Sequence, residues 1–307
     1  KFKFYLGAIF GTILYKKTGE VIMGKFIKLL IILAAVTGLF MYYPNIAGYE
    51  TDPQPAQLAE TTQMQEQANP VSEYQQTEST LMTILPYLPE RDTWPDPLQK
   101  MFMLFTIENT VKERTAGMEW TKLPDIPTAM QQALVAIEDH DFYRHGAVDM
   151  GGILRATFVN ISAGEIVQGG STLTQQLAKN MFLSQEQTMS RKVYEVMFSL
   201  MLEDKFSKDQ ILEMYFNTTY FGNGATGITA AARSYFGKTP AEMNLAECAV
   251  IASLPYAPSA LNPYEIPKLQ KRQHLVLDTM VKRGFIGETV ANAAKEKTIY
   301  LADGTEL

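Results

Sequence analysis

Two glutamates and several basic residues between residues 138 and 195 have side chains that could catalyse a transfer reaction. Glu138 opens the segment EDHDFYRHG, and Glu195 closes the segment RKVYE. Lys179, Arg191 and Lys192 lie between them. A carboxylate can take a proton from a hydroxyl nucleophile, and fixed cations can stabilise the charge of a departing phosphate. This combination indicates transfer of a group from a phosphate donor to a hydroxyl.

The basic residues distinguish this chemistry from simple glycoside hydrolysis. A glycoside hydrolase needs an acid and a second carboxylate, because its leaving group is an alkoxide. It has no use for a cluster of Lys and Arg, whereas a diphosphate leaving group carries negative charge that cations must meet. A lysozyme-like lytic muramidase is the alternative, because it would also need an essential glutamate. An inactive membrane scaffold is a third interpretation, and it would tolerate the loss of Glu138.

Helical spacing would bring the second glutamate and two cations to one surface. If residues 191–205 form a helix, Arg191 lies four positions and Lys192 three positions before Glu195, so all three share a face. An ordinary solvated ion-pair face has the same pattern, and by itself it is the more frequent origin of such pairs. Their occurrence in the same stretch as Glu138 favours a site.

A glycine-rich turn before a predicted helix offers a place for an anion. In the segment GGSTLTQQLAKN (169–180), the Ser or the Thr after the two glycines could cap the helix, with Gln175 at capping-box spacing. The N-terminus of a helix binds anions through its free N–H groups. Gln176, Lys179 and Asn180 then follow on one side of this predicted helix.

Five ordered segments resemble the motifs of the peptidoglycan glycosyltransferases, the lysozyme-like enzymes that polymerise lipid II. The segments are EDHDFYRHG (138–146), GGSTLTQQLAKN (169–180), RKVYE (191–195), KDQILEMYFN (208–217) and residues 222–238, which end in SYFGK. The resemblance covers about residues 120–263, and five motifs in order are far more specific than any one. This family, glycosyltransferase family 51, includes monofunctional transglycosylases and the first half of bifunctional class A penicillin-binding proteins.

The resemblance implies an inverting displacement that forms β-1,4 linkages and releases undecaprenyl diphosphate during bacterial cell-wall synthesis. Glu138 would be the general base on the acceptor 4-hydroxyl, and Glu195 would position or electrostatically support the reacting groups. Members often carry one further Arg before the segment RKVYE, where this chain has Gln187, so donor phosphate binding is expected to be weaker or rearranged. The expected substrate-binding residues are Lys179, Arg191, Lys192, Ser171, Thr172, Gln176, Asn180, Asp139, Phe142 and His145.

No cofactor is required by the sequence. The three histidines, His140, His145 and His274, have no standard metal-site spacing, so a divalent cation such as Mg or Mn would serve only to bridge the diphosphate. The resemblance implies lipid II, the nascent glycan strand, membrane lipid and moenomycin-type inhibitors as partners, with cell-wall synthesis proteins as further candidates. The net charge of −6 argues against nucleic acid.

The amino-terminal region is predicted to lie at a membrane. Residues 26–43 hold one charge, Lys28, and are long enough to span a bilayer. Basic residues cluster at and before the start of this segment, whereas residues 44–90 contain no Lys or Arg. No convincing small-residue cleavage site follows, so an uncleaved, single-pass signal anchor in the bacterial cytoplasmic membrane is predicted. The positive-inside rule then predicts that the catalytic domain lies outside the cytoplasm.

Composition and periodicity predict a mainly α domain, and the resemblance implies that it is a lysozyme-like glycosyltransferase domain with a small membrane-proximal lobe, preceded by the predicted transmembrane helix. The 46% hydrophobic content over 307 residues suffices for one substantial core, and few segments alternate with the period of a strand. The predicted divisions are an uncertain apolar segment (1–22), the anchor (23–45), a flexible acidic tether rich in Gln and Pro (46–90), the catalytic domain (91–270), and a C-terminal helix and tail (271–307).

The sequence also predicts individual secondary-structure elements within the catalytic domain and the C-terminal segment. The run MFMLF (101–105) favours a short strand or an apolar patch near the membrane. Helices are expected over residues 209–217, 227–236, 245–254 and 273–282. No SxxK, SDN or KTG set of a penicillin-binding transpeptidase is present. The chain therefore resembles a monofunctional enzyme, although the glycosyltransferase half of a truncated bifunctional protein would look the same.

Overall fold

The domain described by the structure is built from helices. A computed structural model describes residues 90–164, 169–184, 188–255 and 266–307. Within these ranges the extended structure is limited to two isolated β-bridges, Tyr220 with Thr226 and Tyr300 with Glu306. The prediction of a mainly helical domain is confirmed. The predicted anchor and residues 46–89 of the predicted tether lie outside the described residues, and no described helix is long and apolar enough to cross a membrane.

Eleven α-helices and three short 3-10 helices lie within the described ranges. The α-helices are α1 (Asp96–Phe105), α2 (Ile107–Thr115), α3 (Thr128–Glu138), α4 (Met150–Ala163), α5 (Leu173–Phe182), α6 (Met189–Lys205), α7 (Lys208–Thr218), α8 (Ile228–Phe236), α9 (Leu245–Ser253), α10 (Ile266–Lys282) and α11 (Glu288–Lys295). The 3-10 helices are Arg91–Thr93, Leu123–Asp125 and Pro240–Glu242.

Reciprocal caps determine where three of these helices begin. In each, the side chain of the capping residue accepts a hydrogen bond from a backbone N–H of the first turn, and a Gln or Glu three positions later bonds back. The cap of α5 confirms the predicted capping box and assigns it to Thr172 rather than Ser171. The pairs are Thr172 with Gln175, Ser207 with Gln210 and Asn244 with Glu247.

The core positions the ends of α3 and α5. Helix α9 is buried from Ala246 to Ser253 and packs against both α3 and α10, as expected for a helix that is apolar on all sides. Helix α5 packs against α6 and α7, and the rings of Phe182 and Phe198 stack with centroids 4.6 Å apart. Both helices that carry the candidate site are therefore fixed by packing on more than one side.

Of the two interpretations of residues 101–105, a short strand or an apolar patch near the membrane, the strand is wrong. This run forms the last turns of α1, which begins with Asp96 and Pro97, and Pro is favoured in a first helical turn. Phe102 and Leu104 are buried, whereas Met101 and Phe105 remain exposed. A short apolar run cannot distinguish a strand from one side of a helix, so the periodicity had to be sought over a longer window.

The C-terminal segment is more structured than predicted. Helix α10 runs without a break across residue 270, the predicted domain end, and packs against α3 and α9. Residues expected to trail off form α11, which packs against α10. Helix α11 follows Gly287, which offers no side-chain cap, so the sequence carried little local indication of it. Residues 271–307 therefore pack with the domain core.

Candidate active site

A cavity of about 600 Å³ lies where the C-terminal end of α3 and the N-terminal end of α5 meet α4 and α10. Among its described lining residues, basic side chains outnumber carboxylates by five to three. These charged residues are Glu138, Asp139, Asp149, Arg155, Lys179, Arg272, Lys282 and Arg283. A cavity with an excess of fixed positive charge suits an anionic ligand.

Glu138, the last residue of α3, lines this cavity as predicted. Gln176 Nε2 donates a hydrogen bond of 3.0 Å to Glu138 Oε2. Burial raises the pKa of the Glu138 carboxyl above its ordinary value; the hydrogen bond from Gln176 and the charges of Arg272 and Lys179 oppose that rise, and Asp139 adds to it. A raised pKa makes a carboxylate a stronger base, which suits general-base catalysis near neutral pH.

The next residue, Asp139, holds the loop after α3 against the start of α5. Its Oδ2 accepts a hydrogen bond of 2.9 Å from the backbone N–H of Leu173, and its Oδ1 accepts one of 2.6 Å from His145 Nε2. His145 Nδ1 lies 2.6 Å from the carbonyl oxygen of Gly146. Burial disfavours the charged imidazole, but the bonds to Asp139 and Gly146 outweigh burial and raise the pKa of His145. Asp139 lines the cavity, whereas His145 does not line it and contacts the site through its bond to Asp139.

Phe142 was expected to bind substrate, but the structure places it in the core. Its ring is fully buried, with Lys208 Nζ 4.5 Å from the ring centroid. The neighbouring Tyr143 donates a hydrogen bond of 2.9 Å from its hydroxyl to Asp209 Oδ1. Both aromatic residues therefore attach the loop after α3 to the start of α7. The sequence could not show which aromatic residues of this motif turn inward.

The glycine-rich turn lines the cavity and brings α4 close. A side chain at Gly170 would begin 3.3 Å from the Cα of Ile153 in α4, which is tighter than ordinary contact. Thr172 is occupied as the α5 cap and also donates a hydrogen bond of 2.8 Å to the Ala147 carbonyl oxygen. Ser171 is thus left to present its hydroxyl to the cavity.

Helix α6 reaches the site through one lysine. Lys192 Nζ hydrogen-bonds to Glu195 Oε1 and also donates to Ser171 Oγ at 3.2 Å. Glu195 is only 3% exposed and lies among Phe198 and Leu202 on the buried side of α6. A solvated ion-pair face is therefore the wrong interpretation of this glutamate. Lys192 links Glu195 to the rim of the cavity without lining it.

Two further predicted residues lie away from the cavity lining. Asn180 is exposed near the C-terminal end of α5 and is absent from the lining. Arg191 is also absent from the lining, and its Nε is buried without a hydrogen-bond partner among the described residues. Gln187, where the family often has Arg, is outside the described residues. The predicted residues that line the cavity are Glu138, Asp139, Ser171, Thr172, Gln176 and Lys179.

Four basic residues of the cavity were not predicted from the sequence. Arg155 comes from α4, whereas Arg272, Lys282 and Arg283 come from α10 and the residue after it. Arg272, Leu275, Thr279 and Lys282 follow at intervals of three, four and three residues, so they share one face of α10. That spacing was visible in the sequence, but only the structure shows that this face turns towards Glu138.

A second cavity, of about 770 Å³, adjoins the first. The two share His140, Lys282 and Arg283, and the other residues that line the second cavity include Thr128, Gln131, Gln132 and Tyr143. Burial and the charge of Arg283 lower the pKa of His140, which favours a neutral ring between the cavities. Within the described ranges, no group of three or more His, Cys, Asp or Glu side chains is placed to hold a metal ion.

Comparisons with known proteins agree with the motifs. The family model described as transglycosylase matches residues 106–281. The chain is 45% identical over 168 residues to penicillin-binding protein 1A of Aquifex aeolicus, an alignment that covers 54% of this chain and 23% of the relative. It is also 45% identical over 169 residues to penicillin-binding protein 1A of Neisseria gonorrhoeae, covering 55% of this chain and 21% of that relative.

These alignments reach about a fifth of the length of the relatives. Among solved structures, the chain is similar to the crystal structure of penicillin-binding protein 1A from Haemophilus influenzae, with 23% identity and a TM-score of 0.35. That match covers 60% of this chain and 18% of the other.

Proposed function

This chain belongs to the transglycosylase family and is a glycosyltransferase of peptidoglycan synthesis, and we propose that it polymerises lipid II into glycan strands. The proposal rests on the position of the Glu138 carboxyl in a cavity rich in Lys and Arg. Glu138 takes the proton of the acceptor 4-hydroxyl as that oxygen attacks the donor sugar. The donor carbon is inverted, a β-1,4 linkage forms, and undecaprenyl diphosphate leaves.

The basic residues of the cavity receive the leaving group. Lys179 lies on the same helix as Gln176, one turn further from the glycine-rich turn, so it faces the same cavity as the base. Arg155 and Arg272 line the cavity from α4 and α10. Positive charge fixed around the diphosphate stabilises the transition state more than the bound substrate, because negative charge grows on the leaving oxygen.

The reaction requires no resident cofactor in this proposal. A divalent cation that takes part would bind together with the diphosphate, whose oxygens are its natural ligands. Glu195 contributes indirectly, because it fixes Lys192 and, through it, the Ser171 hydroxyl at the cavity rim.

We also propose that the domain has the lysozyme-like arrangement of its family, with α4 as the membrane-proximal lobe. One side of α4 carries Arg155 and Val159 into the cavity. The other side carries four large apolar residues that are 63–75% exposed: Met150, Leu154, Phe158 and Ile161. Water disfavours such a stripe, and a lipid-linked donor must be reached from a bilayer. Contact of this stripe with lipid meets both requirements.

Replacing Leu154 and Phe158 together with Ser is expected to slow polymerisation of lipid II embedded in vesicles. Each apolar side chain that no longer enters the bilayer loses about 1.5 kcal/mol or more, so the two together lose about 3 kcal/mol and we expect a rate lower by about 10²-fold. Activity on a short-chain, water-soluble lipid II analogue should stay within about twofold of wild type. Val290→Ser, at an exposed apolar position on α11, is the control. Equal losses on both substrates would contradict membrane contact by α4.

We propose that residues 26–43 anchor the chain in the cytoplasmic membrane, with the catalytic domain outside. The support is the charge asymmetry around this segment. Protease added to intact spheroplasts is expected to digest the domain, and protection of the domain would contradict this topology.

Incubation of the purified chain with labelled lipid II tests the proposed function. We expect long glycan products that a muramidase digests back to disaccharide units. Shortening of preformed glycan strands would instead identify a lytic muramidase. Absence of any turnover would identify a scaffold.

A further inference from the structure

A buried tyrosine lies two hydrogen bonds from the candidate base. Tyr215 of α7 is fully buried, and its hydroxyl donates a hydrogen bond of 3.0 Å to Gln176 Oε1. Gln176 Nε2 donates the next one, also of 3.0 Å, to Glu138 Oε2. The chain of bonds thus crosses from α7 through α5 to the end of α3. Burial, and then the charge of Glu138, raise the pKa of Tyr215 well above its ordinary value, so the phenol keeps the proton that it donates.

The carboxylate and the phenol together hold the Gln176 amide in one orientation. A glutamine side chain can present either its oxygen or its NH₂ group. If Gln176 turned over, its Oε1 would face the Glu138 carboxylate and repel it. The ionised carboxylate only accepts, so it takes the NH₂ end, and the phenol hydrogen donated to Oε1 holds the other end of the amide towards α7.

An oriented amide also selects the reacting oxygen of the base. Glu138 Oε2 is occupied by Gln176, whereas no donor among the described residues bonds to Oε1. We propose that Tyr215 is a positioning residue that acts through Gln176 to hold the Glu138 carboxylate with Oε1 directed at the acceptor hydroxyl. This inference rests on the proposed function, in which Glu138 is the general base.

Burial of its ring could by itself explain a tyrosine at residue 215, so the hydroxyl must be tested separately. Tyr215→Phe keeps the ring and removes only the donor. Tyr235 provides a matched control, because it is also buried and its hydroxyl donates to a backbone carbonyl, that of Phe221, at 3.1 Å. Tyr235 does not line the cavity, so Tyr235→Phe removes a comparable hydrogen bond that does not reach the base.

The expected direction of the pH effect follows from the groups around Glu138. These are Lys179 and Gln176 on α5, Arg272 on α10, the adjacent Asp139, and Tyr215 on α7. Tyr215→Phe leaves the charges of Lys179, Arg272 and Asp139 in place and removes only the orientation of the amide. The donor that opposes protonation of Glu138 becomes disordered, so the acid limb of the rate profile moves to higher pH.

The test is to measure kcat and KM for lipid II polymerisation against pH in wild type, Tyr215→Phe, Tyr235→Phe, Gln176→Ala and the double variant Tyr215→Phe/Gln176→Ala. We expect Tyr215→Phe to lower kcat about tenfold, as for other misplaced catalytic groups, with little change in KM. Its acid limb should lie at higher pH than that of wild type, whereas Tyr235→Phe should keep the wild-type profile. In the double variant, Tyr215→Phe should add almost nothing to Gln176→Ala, because both act through one chain of bonds.

A wild-type acid limb in Tyr215→Phe would overturn the inference, even if thermal unfolding showed a loss of stability. Fully additive losses in the double variant, or the same pH shift in Tyr235→Phe, would also overturn it. These outcomes would leave the proposed function standing, because wild type would still polymerise lipid II. Failure of wild type to polymerise lipid II would overturn the proposed function and this inference together.

Discussion

Glu138→Gln is expected to abolish polymerisation of lipid II while leaving the fold intact. The amide has nearly the shape of the carboxylate and can still accept a hydrogen bond from Gln176, but it cannot take a proton. Loss of a general base typically lowers a rate by about 10²–10⁴-fold. Both carboxylate oxygens of the neighbouring Asp139 already accept hydrogen bonds, from His145 and from the backbone of Leu173, so Asp139 is not expected to replace Glu138 as the base.

The control for this substitution is Glu119→Gln. Glu119 forms an exposed ion pair with Arg233 and does not line the cavity, so the variant should keep wild-type turnover. Circular dichroism and thermal unfolding of both variants would show whether the fold is kept. Turnover of Glu138→Gln within a few-fold of wild type would remove Glu138 from the role of base.

Lys179→Ala is expected to lower turnover by about 10²-fold, as for the loss of other groups that stabilise transition-state charge. Lys179 lines the cavity near the base, and its charge also opposes protonation of Glu138. Both effects act on the chemical step, so kcat should fall and not only affinity. A cleft covered by lipid would screen this charge less than open water would.

Arg191→Ala provides the comparison for Lys179→Ala. Both Arg191 and Lys179 were expected from the sequence to bind the diphosphate. Because Arg191 is absent from the cavity lining, Arg191→Ala should lower turnover less than Lys179→Ala does. Lys295→Ala, remote from the cavity, should behave as wild type. Moenomycin-type phosphoglycolipids, which would use the same cations as the donor, should lose affinity in Lys179→Ala. Unchanged turnover and inhibitor affinity in Lys179→Ala would favour the hydrolase interpretation.

The parts of the site that the sequence predicted depend on short-range spacing. The capping box of Thr172 and Gln175, and the three-residue interval between Lys192 and Glu195, are properties of single helices and are confirmed by hydrogen bonds. The family assigned from five ordered motifs is confirmed by the match over residues 106–281.

The parts that the sequence did not predict depend on packing between distant helices. Arg272 approaches Glu138 only because α10 packs against α3, which is more than a hundred residues earlier in the chain. The hydrogen bond from Tyr215 to Gln176 likewise depends on how α7 lies against α5. Helical periodicity tells which residues share a face, but it does not tell what that face meets. Phe142 shows the same limit, since its motif did not reveal that it is buried.

In the proposed reaction, this cavity transfers a sugar from a diphosphate to a hydroxyl of another sugar and not to water. The most direct test is one time course with labelled lipid II that measures released undecaprenyl diphosphate and new sugar reducing ends together. Transfer predicts one lipid diphosphate released for each glycosidic bond formed, with no matching rise in reducing ends. A reducing end for every lipid diphosphate released would mean that water is the acceptor, and it would contradict the account.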